Sequence, residues 1–195
     1  MDREEYVQTI EDSLQASFFE GIQPKEALGV NVTNRILNIP IGVDSEKQAF
    51  VDEFSCFYRE TETDGFMEPD LREVAIIYKP AVSNAKTEKR PVARVRDIIN
   101  TAREHYEKTA PERDQKVFIF ILFIDSEAED VIHRAIKNGT TVQHPDYVLL
   151  PILADLNSGR LTYSTEQSDS SGLLSEPFID QATEKAKEHF RVSSR

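Results

Sequence analysis

The stretch KVFIFILFID, residues 116–125, decides the fold of this chain. Its central run from Val117 to Ile124 is entirely apolar and consists of β-branched, aromatic and leucine side chains, a composition typical of a strand. Because successive side chains of a strand point to opposite faces, an unbroken apolar run predicts a strand that is buried on both faces. We therefore predict that this segment is the central strand of a sheet covered by helices.

Helices and further strands are predicted on both sides of this segment. An apolar stripe predicts a helix from Pro91 to Lys108, and EVAIIYKP, which starts at Glu73, predicts the strand before it. A short helix over 126–137 and the strand YVLLPILAD over 147–155 follow. This alternation implies parallel strands joined by right-handed crossovers. Pro151 predicts that the last of these strands is not central.

The two ends of the chain complete the predicted fold. Amphipathic patterns predict a first helix over 2–19 and a final helix over 176–190. RILNIPIGV at 35–43 predicts a strand, and Pro40 indicates that it lies at an edge or is interrupted. Residues 44–59 fit either a helix face or a strand face, and the aromatic content of 50–59 favours a strand. The whole predicts an α/β fold with a mixed, partly parallel sheet of about five to six strands, flanked by helices that include the N- and C-terminal ones.

The chain is predicted to form a single domain over residues 1–195. The polar segment 166–175 is predicted to be a mobile loop, and 191–195 a loose tail. The only cysteine, Cys56, rules out an intrachain disulfide and favours a reducing compartment. The charged N-terminus shows no signal peptide, and the apolar run of 117–124 is too short to cross a bilayer as a helix. We therefore expect a cytoplasmic protein.

The distribution of charge indicates the kind of partner. The formal net charge is -12, which disfavours non-specific binding to nucleic acid, since that requires a positive surface. Residues 44–73 hold ten acids against three bases, whereas 79–96 hold six bases against one acid. This polarity favours a protein partner, and a basic one, while leaving homo-oligomers open.

Polar residues close three of the predicted strands. Lys79, Asp125 and Asp155 stand at the ends of AIIYK, FILFID and PILAD, and the carboxyl ends of parallel strands meet at one edge. These three are the candidate catalytic residues, and Asp125, Glu127 and Asp155 are candidate ligands for Mg²⁺ or Mn²⁺. The alternative is that they only cap strand ends in water, or that the acids complement the dipole of the following helix.

A basic stretch precedes the helix at Pro91. Lys89, Arg90 and Arg94 crowd its N-terminus, where free amides and a positive dipole favour anions. They are therefore candidate anion-binding residues. The alternative is a solvated loop, or pairing with the acidic residues of 44–73.

The predicted order α-β-β-β-α-β over residues 2–125 resembles the core of restriction-endonuclease-like nucleases. In that family a Pro-Asp pair precedes an (Asp/Glu)-x-Lys triplet, in which the acids hold a metal and the lysine helps to activate water. Pro69-Asp70 and Lys79 match this pattern, but Ile77 stands where the second acid is expected. The resemblance therefore implies a degenerate site.

Three functions follow from these patterns. The first is a non-catalytic, acidic interaction or accessory protein. The second is a metal-dependent phosphoesterase or nuclease with the restriction-endonuclease-like core, and the third is an anion or nucleotide sensor. No complete catalytic motif stands in the sequence, which favours the first.

Overall fold

A computed structural model describes residues 2–28, 52–62, 70–82, 91–109, 115–126, 128–139, 141–144, 147–163 and 176–191. The elements, in chain order, are α1 Arg3–Ala16, β1 Glu20–Ile22, α2 Pro24–Leu28, β2 Phe54–Thr61, β3 Asp70–Ala81, α3 Pro91–Lys108, β4 Gln115–Asp125, α4 Asp130–Lys137, β5 Thr141–His144, β6 Tyr147–Asp155, β7 Arg160–Thr162 and α5 Glu176–His189.

The described strands form one mixed sheet. Its order is β1-β2-β3-β4-β6-β5, and β7 pairs with the far end of β6. The pairs β3–β4 and β4–β6 are parallel, whereas β1–β2, β2–β3, β5–β6 and β6–β7 are antiparallel. The predicted α/β fold with a partly parallel sheet and helices at both ends is confirmed, and β4 lies in its interior as predicted.

Helices cover both faces of the sheet because β4 is apolar on both. Ile119, Ile121 and Phe123 belong to one core cluster, together with residues of α2, α3 and α4. The side chains between them, Phe118, Phe120 and Leu122, belong to the other cluster, together with residues of α1 and α5. The molecule thus has three layers, with the sheet in the middle.

Several boundaries differ from the predictions. The first helix ends at Ala16 rather than at residue 19, and two short elements that were not predicted, β1 and α2, follow it. The segment that fitted either a helix or a strand forms β2 from Phe54 to Thr61, so the preference for a strand is confirmed there. The predicted strand at 35–43 lies outside the described residues, as do the loop at 166–175 and most of the C-terminal tail.

The expectation that Pro151 keeps its strand out of the interior is wrong, because β6 has partners on both sides. On the side away from β4, the paired residues end at Leu149 with β5 and resume at Leu153 with β7. Pro151 falls in this gap, where no described strand needs a hydrogen bond from its nitrogen. A proline is therefore tolerated inside the sheet.

Candidate functional site

Asp125 and Asp155 lie next to each other at the carboxyl edge of the parallel strands. They are direct partners in the β4–β6 register, and side-chain alternation places both on the α3 and α4 side of the sheet. Asp125 is only 2% exposed, while Asp155 is partly exposed. Two of the three strand ends that were predicted to converge therefore meet in the register.

Both carboxylates accept hydrogen bonds from the turns that follow them. Asp125 Oδ1 accepts from the Ser126 amide at 2.7 Å. Asp155 Oδ1 accepts from the amides of Asn157 and Ser158 at 3.0 and 3.2 Å, and its Oδ2 accepts from Ser158 Oγ at 2.6 Å. Partial burial alone would raise the pKa of Asp155, but these bonds and nearby His133 outweigh it and lower the pKa.

Lys79, the third member of the candidate site, lies near the end of β3, beside an irregularity between Tyr78 and Ala81. Its backbone amide donates to the Glu53 carbonyl at 2.8 Å. Its side chain lines an open depression with Phe54 and Cys56 at the β1–β2 edge. Burial raises the pKa of the Cys56 thiol to about 12, and this effect outweighs the positive charge of Lys79, which lowers the pKa. The thiol is therefore protonated at neutral pH.

Of the three candidate metal ligands, the structure describes Asp125 and Asp155. Glu127 lies outside the described residues, and within the described ranges no group of three or more His, Cys, Asp or Glu side chains could hold a metal ion. The residues matched to the nuclease pattern are also spread out. Asp70 and Lys79 stand nine positions apart along β3, roughly 30 Å at the rise of a strand.

Arg94 does not project into solvent at the start of α3. It is 6% exposed and its Nη2 donates to Glu53 Oε2 at 2.8 Å, with its guanidinium 5.9 Å from the ring centre of Tyr78. Arg94 is therefore part of the packing between α3 and the sheet. The other two candidate anion-binding residues, Lys89 and Arg90, lie outside the described residues.

A charged cluster that no sequence pattern indicates lies under the α1 and α5 layer. Glu73 is fully buried and forms an ion pair with Arg59. Its Oε1 lies 2.9 Å from Nε2 of His189. Arg59 also donates to the Ser17 carbonyl at 2.9 Å, and its guanidinium lies 4.6 Å from the centre of the Phe19 ring. Burial would raise the pKa of Glu73, but the bonds and charges of His189 and Arg59 outweigh it and lower the pKa.

This cluster fixes the end of α1, where Phe18 has an unusual backbone. Phe18 has φ 64°, its amide donates to the Gln15 carbonyl, and the Phe19 amide donates to Leu14. These are the two bonds of the Schellman motif, in which the left-handed residue is usually glycine. Phe19 packs into the core with Leu14, whereas the Phe18 side chain is 85% exposed.

The helical layer around Phe18 is acidic. Together α1 and α5 carry eight acids and three bases, whereas α2, α3 and α4 carry five acids and seven bases. In α5 the two lysines pair with neighbouring acids, Lys187 with Glu184 and Lys185 with Glu188. We call the surface of α1 and α5, with Phe18, the acidic layer.

Comparison of the chain with protein-family models, with curated proteins and with solved structures found no match. Within the described ranges, no helix combines the length and apolar character needed to span a membrane.

Proposed function

We propose that this chain is a non-catalytic interaction or accessory protein that binds a basic partner protein through the acidic layer. The observation that carries this proposal is Phe18, a large apolar side chain that is 85% exposed on a left-handed backbone. That backbone disfavours side chains with a β-carbon. A strained residue that is held outward by its surroundings favours a role in binding over a role in folding.

The surface that carries Phe18 has the composition of a protein-binding surface. An aromatic residue that becomes buried on association is a typical energetic centre of an interface, and charged residues typically form the rim. Asp12 in the last half of α1 and Glu20, two residues after Phe18, are exposed acids close to it in the chain. The rest of the acidic layer is also mainly acidic at its surface, where Glu4, Glu5, Asp180, Glu184 and Glu188 are exposed. This arrangement suits a partner with an apolar pocket or side chain surrounded by lysine or arginine.

Two of the candidate catalytic residues and one candidate anion-binding residue support the same proposal, because they already have partners within the fold. Asp155 accepts three hydrogen bonds from its turn, Asp125 accepts one from Ser126, and Arg94 pairs with Glu53. Each of these side chains thus has a role in the fold. As part of this proposal we place the protein in the cytoplasm, where its single thiol, Cys56, stays reduced.

The test is selection from a random linear peptide library on the immobilised full chain, followed by affinity measurement on synthetic copies. We expect the selected peptides to combine an apolar residue with flanking lysine or arginine, and their affinity to fall steeply with salt. Replacement of Phe18 by Gly should weaken binding about 20-fold or more, as for an interface centre. The double variant Asp12→Lys with Glu20→Lys, at exposed acids close to Phe18 in the chain, should weaken binding and flatten its salt dependence.

Val131 provides the matched control. It is the other large apolar side chain that the described residues expose, at 40%, and it lies on α4 in the opposite helical layer. The Val131→Ala variant should bind as the original chain does. Peptides without a basic bias, or equal binding by the Phe18→Gly variant, would contradict the proposal.

A metal-dependent phosphoesterase is the second candidate, because Asp125 and Asp155 are direct neighbours across two parallel strands. Paired carboxylates at this edge are suited to a divalent cation. Under this alternative, Mg²⁺ or Mn²⁺ raises the melting temperature and the Asp125→Asn variant loses that rise. Under the interaction proposal, neither ion changes the melting temperature more than Ca²⁺ does at equal concentration.

A further inference from the structure

A cleft opens on the side of the sheet opposite to the acidic layer. It lies between the C-terminal half of α3 and the starts of β4 and β6, next to β1, β2 and β3, and has a volume of 470 Å³. Its lining includes Glu26, Tyr58, Arg72, His105, Tyr106 and Tyr147. This volume is within the range of sites that bind small molecules.

One side chain of the cleft has an unmet hydrogen-bonding requirement. Tyr147 is 3% exposed, and its hydroxyl is buried without a hydrogen-bond partner among the described residues. A buried hydroxyl in this state costs stability, so most native proteins provide it with a partner. A bound molecule with an acceptor atom would satisfy it.

The other lining groups define the chemistry of such a molecule. Three tyrosine rings and one imidazole form much of the wall, and aromatic walls favour flat rings in stacked or edge-on contact. The lining has one cation and one anion among its named residues, Arg72 and Glu26, and Arg72 is already bonded to Glu60. Burial lowers the pKa of His105, and a hydrogen bond to the Glu26 backbone, which would raise the pKa, does not outweigh it. The His105 ring is therefore neutral at pH 7. An uncharged ligand fits this lining better than an ion.

We infer that the cleft binds an uncharged, planar heteroaromatic molecule, no larger than a nucleoside, which accepts a hydrogen bond from the Tyr147 hydroxyl. This site is independent of the acidic layer, since the two are on opposite faces of the sheet. Ligand binding is therefore a second activity of the chain and does not depend on the proposed protein partner.

The test is ligand-observed NMR of the full chain with probes of three classes. The first class is uncharged and heteroaromatic with acceptor atoms on the ring system, namely adenosine, inosine and quinazolin-4-one. The second is saturated, namely glucose and cyclohexanol, and the third is charged, namely benzoate and benzamidine. We expect binding to be concentrated in the first class.

Three variants connect that binding to the cleft. Tyr147→Phe should weaken binding about tenfold, the value of one hydrogen bond, while leaving the melting temperature of the free protein equal or higher. Tyr163→Phe, which removes a hydroxyl from the opposite side of the sheet, should leave binding unchanged. Thr109→Trp, at an exposed position of the lining, should fill the cleft and abolish binding without unfolding the chain.

Three binding results would each overturn the inference. They are the absence of binding by any heteroaromatic probe, equal binding by the saturated probes, and full affinity in both Tyr147→Phe and Thr109→Trp. A fall in the melting temperature of free Tyr147→Phe would show instead that the hydroxyl has a partner within the fold. That result would also overturn the inference.

Discussion

Phe18 occupies a backbone position that glycine adopts without steric cost. Its side chain is 85% exposed, so it contributes little burial in return. We predict that Phe18→Gly raises the free energy of unfolding by about 1 kcal/mol, because the clash of a β-carbon in the left-handed conformation is removed. Urea denaturation measures this change. Phe18→Ala retains the β-carbon and should show no such gain, whereas a less stable Phe18→Gly would show that the ring supports the fold.

Two neighbouring ion pairs of β2 and β3, one buried and one exposed, show how burial changes the contribution of an ion pair to the free energy of unfolding. Arg59 is opposite Glu73, and Glu60 is opposite Arg72 in the next position of the register. The Glu73 side chain is fully buried, whereas those of Glu60 and Arg72 are 46% and 43% exposed. We predict that Glu73→Gln lowers the free energy of unfolding by about 3 kcal/mol, since it leaves Arg59 without its counter-charge. Glu60→Gln should change it by less than about 0.5 kcal/mol.

The lowered pKa of Glu73 gives this pair a pH dependence. The folded state holds the carboxylate charged below its ordinary pKa of 4.5, so Glu73 stabilises the fold above that pH, and the contribution is lost as the pH falls through the folded pKa. Denaturation curves between pH 7 and pH 3 should show a smaller loss of stability in Glu73→Gln than in the original chain. Parallel pH profiles for the two would contradict the assignment.

The long elements could be predicted from the sequence because each contains several repeats of its own period. α3 has the predicted bounds, and β4 is the central strand, as its apolar run indicated. β1 and α2 have three and five residues, too few for a pattern to emerge. The predicted end of α1 is wrong by three residues, because Phe18 takes the left-handed position that a glycine usually marks in a sequence.

One part of the candidate site could also be predicted from the sequence, and another part could not. The meeting of Asp125 and Asp155 follows from parallel strand order, which the sequence indicates. The cluster of Arg59, Glu73 and His189 joins residues that are up to 130 positions apart in the chain. Each is an ordinary charged residue in its own segment, so only the register of β2 with β3 and the packing of α5 bring them together.

The central position of β4 has a measurable consequence. Ile121 is fully buried and lies between Ile76 of β3 and Pro151 of β6. We predict that Ile121→Asp unfolds the chain, because a lone charge there has no partner. Ile121→Val should retain a cooperative melt at a cost of about 1 kcal/mol. Circular dichroism measures both, and a cooperatively melting Ile121→Asp would contradict the role assigned to β4.

At the scale of the whole molecule, charge is unevenly divided between the two helical layers. With a net charge of -12 and most of the helical excess on α1 and α5, like charges repel one another at low ionic strength. We predict that the melting temperature rises as NaCl increases from low millimolar to molar concentration. The triple variant Glu4→Gln, Glu5→Gln and Asp12→Asn should show a smaller rise. A flat or falling curve would show that self-repulsion is not a significant factor.

The strand lengths also affect how the protein resists aggregation. Among the described strands, the outer ones, β1, β5 and β7, have three, four and three residues, whereas β3 and β4 have twelve and eleven. Short outer strands offer an incoming chain few backbone groups to pair with. The run over 117–124, which has the composition of an amyloid-forming segment, is enclosed between β3 and β6. Fibril growth from this run therefore requires the sheet to open first, so its onset is governed by the rate of unfolding rather than by encounters between folded molecules.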